Sequence, residues 1–449
     1  MNIANMGVGF VLVLGVLILV HEWGHFIVAR RFGVRVDVFS IGFGPRLFGW
    51  KRGATDYRVS AIPLGGYVRM AGQDPSEIDS SNQSPKPTGA PDELLSKKRW
   101  QRALISLAGP VVNLIMPIIL LGGFYAIRGY PYPAYQDKPI VLSDLSKESP
   151  LAKAGVSDGD QIVAVNDVPT PTWSKVSTLL QQTPTTGELR FLVEHQGAKQ
   201  TVEISASSLH GIDRPLGYPP VPAILGQVIS GKPARRAGLK SGDVILFVNG
   251  TPVRNWPQCV DLIRNSNGQA LNIGVRRAGK DMSFQIHPLY EKDEQGEFAW
   301  RIGVGPGGEW SFRSMSVTAS VKEAGVETVD ATGKLLGIIG KLFTGKLSVR
   351  QLQSFVGIAV QAGQAVQEGP VDTIQLMALL SLNLGILNLL PIPILDGGNI
   401  LLLSMEGIRR RDFSMAFKER FVQVGLVFLL VLFAYVMYND VMRLLPNHS

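Results

Sequence analysis

The sequence predicts a polytopic α-helical membrane protein with four transmembrane helices, a membrane-associated β-hairpin and two tandem α+β domains outside the membrane. Three observations predict this fold class: four long apolar segments, two aromatic and β-branched runs near the N-terminus, and an internal repeat in the middle of the chain. The composition agrees, because 45% of the 449 residues are hydrophobic and only 18% are charged.

Four apolar segments are long enough to span a membrane. Each has about 17 to 25 residues, which as a helix covers about 30 Å of hydrocarbon. The first has no basic residues before it and no small-residue cleavage site after it, so we expect a retained span rather than a signal peptide. The third segment contains Asn and Pro, and for it the alternative to a transmembrane span is a buried core helix. The segments are residues 3–20, 103–127, 373–395 and 421–437.

Basic residues flank these spans asymmetrically. Arg and Lys are concentrated between the first and second spans, and again between the third and fourth in "GIRRRDFSMAFKER". Because cytoplasmic loops are enriched in Lys and Arg, we expect both loops in the cytoplasm. The two termini and the long middle segment are then expected on the far side of the membrane. The net charge of +8 follows from this topology, and no aromatic-interleaved basic stripe indicates nucleic acid binding.

A β-hairpin is predicted between the first two spans. Aromatic and β-branched runs at residues 57–61 and 67–70 flank the turn sequence Pro-Leu-Gly-Gly. A surface β-ribbon without a function is the alternative. Four glycines leave space for a close backbone approach. They are Gly42, Gly44, Gly65 and Gly66. The Ser-, Pro- and Asp-rich residues that follow, 72–100, predict a disordered loop.

The middle of the chain contains an internal repeat. The sequence "SPLAKAGVSDGDQIVAVNDVPTPTW" (149–173) aligns without gaps to "KPARRAGLKSGDVILFVNGTPVRNW" (232–256), with ten of 25 positions identical. We interpret this as two copies of a domain of about 80 residues. Since Cys259 is the only cysteine, no intramolecular disulfide can stabilise either copy.

An amphipathic helix is predicted after the second copy. In "ATGKLLGIIGKLF" (331–343) apolar residues recur at helical spacing, with Lys334 and Lys341 on the other side, as in a helix of the membrane interface or one packed on the repeat. The expected segments are transmembrane helix 1 (3–29), the β-hairpin region (30–71), the disordered loop (72–100), transmembrane helix 2 (101–127), the two repeat domains (128–212 and 213–308), the amphipathic region (309–370), transmembrane helix 3 (371–396), a cytoplasmic loop (397–420) and transmembrane helix 4 (421–438).

The sequence "LGVLILVHEWGHF" (14–26) joins an apolar span to three ionisable side chains. On a helix, His21 and His25 lie about 40° apart around the axis and can share a metal ion, with Glu22 beside the water that the metal binds. A pair of buried, hydrogen-bonded histidines is the alternative. Ionisable groups in a membrane span usually mark a functional site, so we favour the metal site.

A catalytic zinc site usually has three protein ligands and one open position. Asp37 and Asp56 are near the histidines in sequence but belong to no span. Asp396 is the better candidate, because it ends the third apolar segment on the same side of the membrane as His21. A role as a helix cap is the alternative for Asp396.

Two resemblances extend these inferences. The repeat signature "AG…GD.I..VN…P" is similar to that of PDZ domains in the circularly permuted form of bacterial envelope proteases, which bind extended peptide ends by strand addition. The HExxH of the first span, "GPVVN" in the second and "NLLPIPILDG" in the third resemble the site-2 protease family of intramembrane zinc metalloproteases. The two-PDZ, four-span layout resembles its RseP subfamily over nearly the whole chain.

This resemblance implies a metalloendopeptidase that binds Zn²⁺ through His21, His25 and Asp396, with Glu22 as catalytic acid and base. It also implies that the hairpin takes the substrate as an added strand. Expected substrate contacts are Asn383, Tyr67, Val68, Gly65 and Gly66. The Gly, Pro and Asn interruptions of spans two and three, Gly109 among them, suit irregular backbone around a hydrated cavity. Expected cavity-lining residues are Asn113, Asn388, Pro391 and Pro393.

The resemblance further implies substrates that are single-span membrane proteins after a first cleavage, typically an anti-sigma factor that controls envelope stress genes, and signal-peptide remnants. The PDZ pair is expected to bind peptide C-termini, and the protein to be a multi-pass protein of the bacterial inner membrane in contact with the lipid bilayer. The chain departs from the family pattern in two places. It reads "QSFVGIAVQAG" (353–363) before the third span, where relatives often have Gly-Pro, and Asn399 stands where relatives often have His.

Two other functions are compatible with parts of the sequence. A catalytically inactive, membrane-tethered PDZ adaptor keeps the domains and spans but does not need Glu22. A metal transporter uses His21, His25 and Asp396 as an intramembrane site but leaves the PDZ pair unexplained.

Overall fold

The computed structural model describes residues 3–73, 88–182, 186–209, 216–217, 221–229, 231–292, 298–345 and 355–444. The chain divides into two compact units. We call residues 1–130 with 314–449 the membrane unit, and residues 131–313 the repeat unit.

Four helices among the described residues are long and apolar enough to cross a membrane, and they confirm a polytopic membrane protein. Between 17% and 39% of the residues in their apolar segments are buried, which leaves most of these side chains for lipid. The described helices are α1 (Ile3–Arg31), α2 (Arg99–Arg128), α3 (Pro150–Lys153), α4 (Trp173–Gln182), α5 (Pro233–Ala237), α6 (Trp256–Arg264), α7 (Val317–Phe343), α8 (Phe355–Glu368), α9 (Pro370–Asn388), α10 (Asp396–Arg409) and α11 (Met415–Leu444). The four helices that can cross a membrane are α1, α2, α9 and α11.

The third span is shorter than predicted. α9 ends at Asn388, because Pro391 and Pro393 have no backbone N–H and cannot continue the helix. A helix resumes after the prolines, so Asp396 begins α10, and the prediction that residues 397–420 form a loop is wrong as far as Arg409.

The described strands fall into one sheet region of the membrane unit and several sheets of the repeat unit. They are β1 (Val36–Arg52), β2 (Thr55–Met70), β3 (Tyr130–Pro133), β4 (Ile140–Val141), β5 (Gln161–Val165), β6 (Val168–Pro169), β7 (Glu188–His195), β8 (Ala198–Ser205), β9 (Ala223–Val228), β10 (Val244–Val248), β11 (Thr251–Pro252), β12 (Leu271–Arg277), β13 (Lys280–Ile286), β14 (Leu289–Lys292), β15 (Phe298–Arg301), β16 (Val304–Pro306) and β17 (Trp310–Arg313).

β1 and β2 are long strands that fold back to give four paired segments, which we call the membrane sheet. Phe39 aligns with Tyr57 on one side and with Val68 on the other, so its segment is interior. The order across the sheet is residues 46–52, 55–60, 36–41 and 66–70. Two edges result, which we call edge 46–52 and edge 66–70.

The predicted turn of the hairpin is in the wrong place. Arg52 pairs with Thr55, so the chain reverses at Gly53, whose φ of +63° suits a tight turn. The Pro-Leu-Gly-Gly sequence instead lies within β2, where the register shifts between the pairs Phe43↔Ile62 and Ile41↔Gly66.

The predicted disorder of residues 72–100 is wrong for residues 88–100, and residues 74–87 lie outside the described residues. The Glu93 carboxylate accepts hydrogen bonds from the backbone N–H groups of Thr88 (3.0 Å) and Gly89 (2.9 Å). Leu94 then donates its N–H to Ala71 O at 2.8 Å, which ties this turn to the end of β2. Satisfied backbone groups therefore order a segment whose composition is polar.

The two copies of the repeat have the same elements in the same order. α3, β5, β6, α4, β7 and β8 of the first correspond to α5, β10, β11, α6, β12 and β13 of the second. The sheets are ordered β4-β5-β7-β8 and β13-β12-β10-β9-β16, each with a separate apolar core. Each copy is therefore stabilised by the packing of its own apolar core. This agrees with the sequence, because a single cysteine allows no intramolecular disulfide.

The shared Gly-Asp turn has a structural role in both copies. Asp160 and Asp243 are 1% and 0% exposed. Asp243 accepts two hydrogen bonds from Arg277, at 2.6 and 2.7 Å, and Asp160 pairs with His195 at the corresponding place. The identity of the two copies at the Gly-Asp turn therefore reflects a structural requirement of the fold of the domain.

α7 begins well before the predicted amphipathic segment and packs against α2. Gly122 of α2 lies against Val321, and Glu327 accepts hydrogen bonds from Tyr125 Oη at 2.6 Å and Tyr130 Oη at 3.1 Å. Burial and the Glu327 carboxylate raise the pKa of Tyr130 to about 12, so its hydroxyl remains a donor at neutral pH.

Candidate metal centre

α1 presents His21 and His25 to the inside of the membrane unit. Their exposed fractions are 6% and 8%. Gly24, between them, is where α1 crosses α2, and a Cβ on this residue would lie 2.7 Å from Ala108 O. The glycine therefore allows the two helices to approach closely enough to enclose the histidines.

The irregular segment after α9 directs Asp396 toward α1. Ile394 has a φ of +79°, which is rare for a β-branched residue. Close packing holds this conformation, because Cβ atoms on Gly397 and Gly398 would lie 2.3 Å from Leu389 O and 2.2 Å from Ile392 O. Local strain next to a polar side chain is common at functional sites.

Three side chains converge on one point, although Asp396 is distant in sequence. His21 Nε2 lies 3.2 Å from His25 Nε2 and 3.2 Å from Asp396 Oδ2, and His25 Nε2 lies 3.5 Å from Asp396 Oδ1. Tetrahedral ligands about 2.0–2.1 Å from zinc are about 3.3 Å apart. The three residues therefore fit a zinc ion with one open position.

Groups behind the histidines orient them for metal binding. His25 Nδ1 lies 2.7 Å from Ile105 O, which can only accept a hydrogen bond, so Nδ1 carries the proton and Nε2 is free. Asn113 Nδ2 lies 3.1 Å from His21 Nδ1, and Asn113 Oδ1 has no hydrogen-bond partner among the described residues. When His21 binds a metal through Nε2, its Nδ1 carries a proton, and a 180° rotation of the Asn113 amide would bring Oδ1 into place as the acceptor.

Gly109 is a functional position that sequence analysis treated only as an interruption of the second span. A Cβ there would lie 2.3 Å from His25 Nε2 and 2.8 Å from His21 Cε1. Glycine is therefore needed for the imidazoles to pack against α2. The signals in the sequence were a glycine inside an apolar helix and its place at the start of the motif "GPVVN" (109–113).

We expect Gly109→Ala to displace the histidines and to lower zinc affinity on the order of 10- to 100-fold. Zinc per chain after dialysis against a chelator measures this. Gly123→Ala is the matched control, because Gly123 is in the same helix and no atom lies within 4 Å of its added methyl. Unfolding is not the expected cause, since alanine favours a helix by about 1 kcal/mol over glycine. Full zinc retention by Gly109→Ala would contradict the packing argument.

A cavity of about 460 Å³ adjoins the three side chains. Glu22, Asn388 and edge 66–70 line it near the histidines, and its other polar lining residues include Arg102, Ser106, Asn399 and Lys418. Glu22 also accepts a hydrogen bond from the Val68 backbone N–H. The general base candidate, the histidines and a sheet edge therefore share one space.

A buried ion pair borders this cavity. Lys418 Nζ of α11 lies 3.0 Å from Glu406 Oε1 of α10, and the same oxygen accepts the N–H of Phe413 at 3.0 Å. The Lys418 and Glu406 side chains are 10% and 0% exposed. The pair therefore connects the helix that begins with Asp396 to α11.

Several predicted substrate contacts lie at this cavity. Gly66, Tyr67 and Val68 line it, and Tyr67 stacks on Phe43 with ring centroids 6.0 Å apart. Gly65 is adjacent but contacts the Phe43 ring, with a φ of +149°. Asn388 Nδ2 lies 3.3 Å from His21 Nε2.

Other predicted site residues lie away from the cavity. Asn383 does not line it, and its buried Oδ1 has no partner among the described residues. Asn113, Pro391 and Pro393 are not among the residues that line this cavity: Asn113 contacts His21 from the side of α2, and Pro393 packs on Gly425 of α11. The alternative ligands Asp37 and Asp56 pair with Arg35 and Arg46.

A buried two-histidine, one-carboxylate centre with a glutamate beside it, enclosed by apolar helices, defines an intramembrane metallopeptidase. Comparison with known proteins shows the family. The model of Peptidase family M50 matches residues 9–432, and the chain belongs to this family, that of the site-2 proteases.

Similar proteins cover nearly the whole chain. The chain is 34% identical over 465 residues to the regulator of sigma-E protease RseP of Escherichia coli, covering 97% of this chain and 98% of the relative. It is 32% identical to the protease RseP of Yersinia pestis over 456 residues, with the same coverage. The protein is therefore a zinc metalloendopeptidase of the site-2 protease type in the inner membrane, with membrane proteins as substrates.

Proposed function

We propose that the protein hydrolyses peptide bonds within the transmembrane segments of single-span membrane proteins, in regulated intramembrane proteolysis and envelope stress signalling. Its substrates would be proteins of the anti-sigma factor type after a first cleavage, and remnant signal peptides. The observation that carries this proposal is the convergence of His21, His25 and Asp396 beside Glu22 and edge 66–70 in one cavity of the membrane unit.

Glu22 is the catalytic acid and base in this proposal. His21, His25 and Asp396 would hold the zinc ion, which would supply a Lewis acid and lower the pKa of a bound water toward neutrality. The Glu22 carboxylate accepts a proton from the attacking water and passes it to the nitrogen of the leaving amine. The Val68 N–H that reaches Glu22 supports this assignment, because it holds the carboxylate in the cavity.

Edge 66–70 is proposed to bind the substrate as an added strand. A substrate helix must unwind before cleavage, and an open sheet edge offers hydrogen bonds to the released backbone. The N–H groups of Val68 and Met70 point away from the sheet: the first reaches Glu22 and the second donates to Gln73 Oε1 at 3.1 Å. Both donors therefore lie on the outer side of the edge, and a substrate strand would replace these partners with its own carbonyl groups.

We expect Val68→Pro to reduce cleavage of an intact transmembrane substrate about tenfold more than cleavage of a short, already extended peptide, because it removes one outward N–H. The Val68 N–H also reaches Glu22, so the substitution affects the general base equally for both substrates. The ratio of the two losses in cleavage therefore reports strand binding alone. Val68→Ala, which keeps the N–H, is the control. Equal losses for both substrates would show that the edge is scaffold.

Asn388 and Asn383 are proposed to hold the unwound substrate. The Asn388 amide lines the cavity within 3.3 Å of His21 Nε2, which supports a contact with a substrate carbonyl once that nitrogen binds metal. For Asn383 the support is its buried amide oxygen, which lacks a partner among the described residues.

The two repeat domains are proposed to be periplasmic PDZ domains that bind peptide C-termini and restrict access by substrate size. Their matching elements and the shared Gly-Asp turn support this class of domain. The basic residues that flank the spans support periplasmic N- and C-termini.

A further inference from the structure

A second cavity of about 460 Å³ lies between α1 and the membrane sheet. Trp23 and Phe26 line it from α1, and Trp50, Tyr57 and Arg52 line it from the sheet. Trp23 is on roughly the opposite face of α1 from His21 and His25, so this space is separate from the metal centre. We call it the outer slot.

Aromatic side chains form the walls of the outer slot. The Trp50 and Tyr57 rings stack with centroids 5.8 Å apart and an interplanar angle of 15°, and Phe26 packs edge-on to Tyr57 at 5.9 Å. Trp23 and Trp50 are 52% and 63% exposed. The Trp23 indole on the membrane-spanning helix α1 and the Trp50 indole on the sheet therefore form rigid apolar walls, and lipid surrounds this helix.

One cation belongs to the slot. Arg52 lines it and is exposed, and its guanidinium has no ion-pair or hydrogen-bond partner within the described ranges. Lys51, the preceding residue of edge 46–52, points to the other face because side chains alternate along a strand. The slot therefore combines an apolar interior with one uncompensated positive charge.

The depth of the slot suits a phospholipid. At a rise of 1.5 Å per residue, Trp23 lies about 10 Å along α1 from Arg30, at the basic end of the helix. This distance places Trp23 within one leaflet of the bilayer. Leu47 and Phe48 on edge 46–52 are 64% and 62% exposed, so the sheet beside the slot also presents apolar side chains to the membrane.

We propose that the outer slot binds one anionic phospholipid, with an acyl chain between Trp23 and Trp50 and its phosphate on Arg52. The bound lipid joins α1 to the membrane sheet. Since the same sheet carries edge 66–70 and the same helix carries Glu22, lipid in the slot stabilises their alignment from the side opposite the metal centre.

Native mass spectrometry of the detergent-solubilised full chain tests this proposal. With phosphatidylglycerol and phosphatidylcholine of matched acyl chains, we expect one phosphatidylglycerol to bind at least fivefold more tightly than phosphatidylcholine. Arg52→Gln should remove this preference and Arg52→Lys should restore most of it. Lys51→Gln is the matched control, since it removes the same charge from the neighbouring exposed position and should bind as the wild type does.

Three outcomes would overturn the proposal. Equal phosphatidylglycerol affinity in the wild type and Arg52→Gln would mean that Arg52 does not bind the phosphate. Competition by glycerol phosphate, which lacks acyl chains, as strong as that by lipid would mean an anion site alone. A photoreactive residue at position 23 that captures a transmembrane substrate in place of lipid would assign the slot to substrate.

Discussion

Glu22→Gln is expected to abolish peptide cleavage while the protein keeps its zinc. The amide has the size of the carboxylate but cannot accept a proton from water, and loss of a general base lowers rates about 10²- to 10⁴-fold. Zinc is retained because the converging ligand atoms belong to His21, His25 and Asp396. Cleavage of a one-span reporter and zinc per chain, measured on the same preparation, check both parts of the expectation.

Glu419→Gln is the matched control for this experiment. It makes the same chemical change at an exposed position of α11, so it should cleave as the wild type does. If Glu22→Gln also cleaved the reporter normally, the catalytically inactive PDZ adaptor would become the better hypothesis for the function of the protein. Zinc flux into liposomes that depends on His21 would favour the transporter.

Asp396→Ala is expected to release zinc. The carboxylate lies within 3.5 Å of both histidine Nε2 atoms, and without it two neutral ligands remain in a buried site. We expect zinc affinity to fall on the order of 100-fold or more, with a lower thermal midpoint because zinc that binds the folded state stabilises it. Chelator competition followed by metal analysis measures the affinity.

Asp37→Ala and Asp56→Ala are the controls, because both residues were possible ligands by sequence distance. Each pairs with an arginine of the membrane unit, Arg35 or Arg46, and should keep full zinc. If Asp396→Ala held one zinc at wild-type affinity, the third ligand would have to be another residue.

The two histidines and Asp396 could be predicted from the sequence for different physical reasons. His21 and His25 meet through helical periodicity, which is local. Asp396 was predicted because spans one and three place it at the same depth as His21, and the distances between the ligand atoms agree with this argument. The repeat was visible because its turns require particular residues, as the buried Asp160 and Asp243 illustrate.

The features that could not be predicted depend on contacts between distant parts of the chain. Gly109 matters because two imidazoles of another helix occupy the space of a side chain. The chain reverses at Gly53 rather than at the Pro-Leu-Gly-Gly sequence because Phe39 takes neighbours from both halves of β2, which turn propensity does not include. The order of residues 88–100 depends on Glu93, whose carboxylate satisfies backbone donors that composition does not reveal.

The Glu406–Lys418 pair ties α11 to α10 beside the cavity. Removing one partner of a buried ion pair costs about 3–5 kcal/mol, because the other charge is left buried without compensation. Since α10 begins with Asp396, the cavity wall at Lys418 and the third metal ligand belong to one linked pair of helices. A substitution at Lys418 would therefore reach the metal centre through α10, although Lys418 is not itself a ligand.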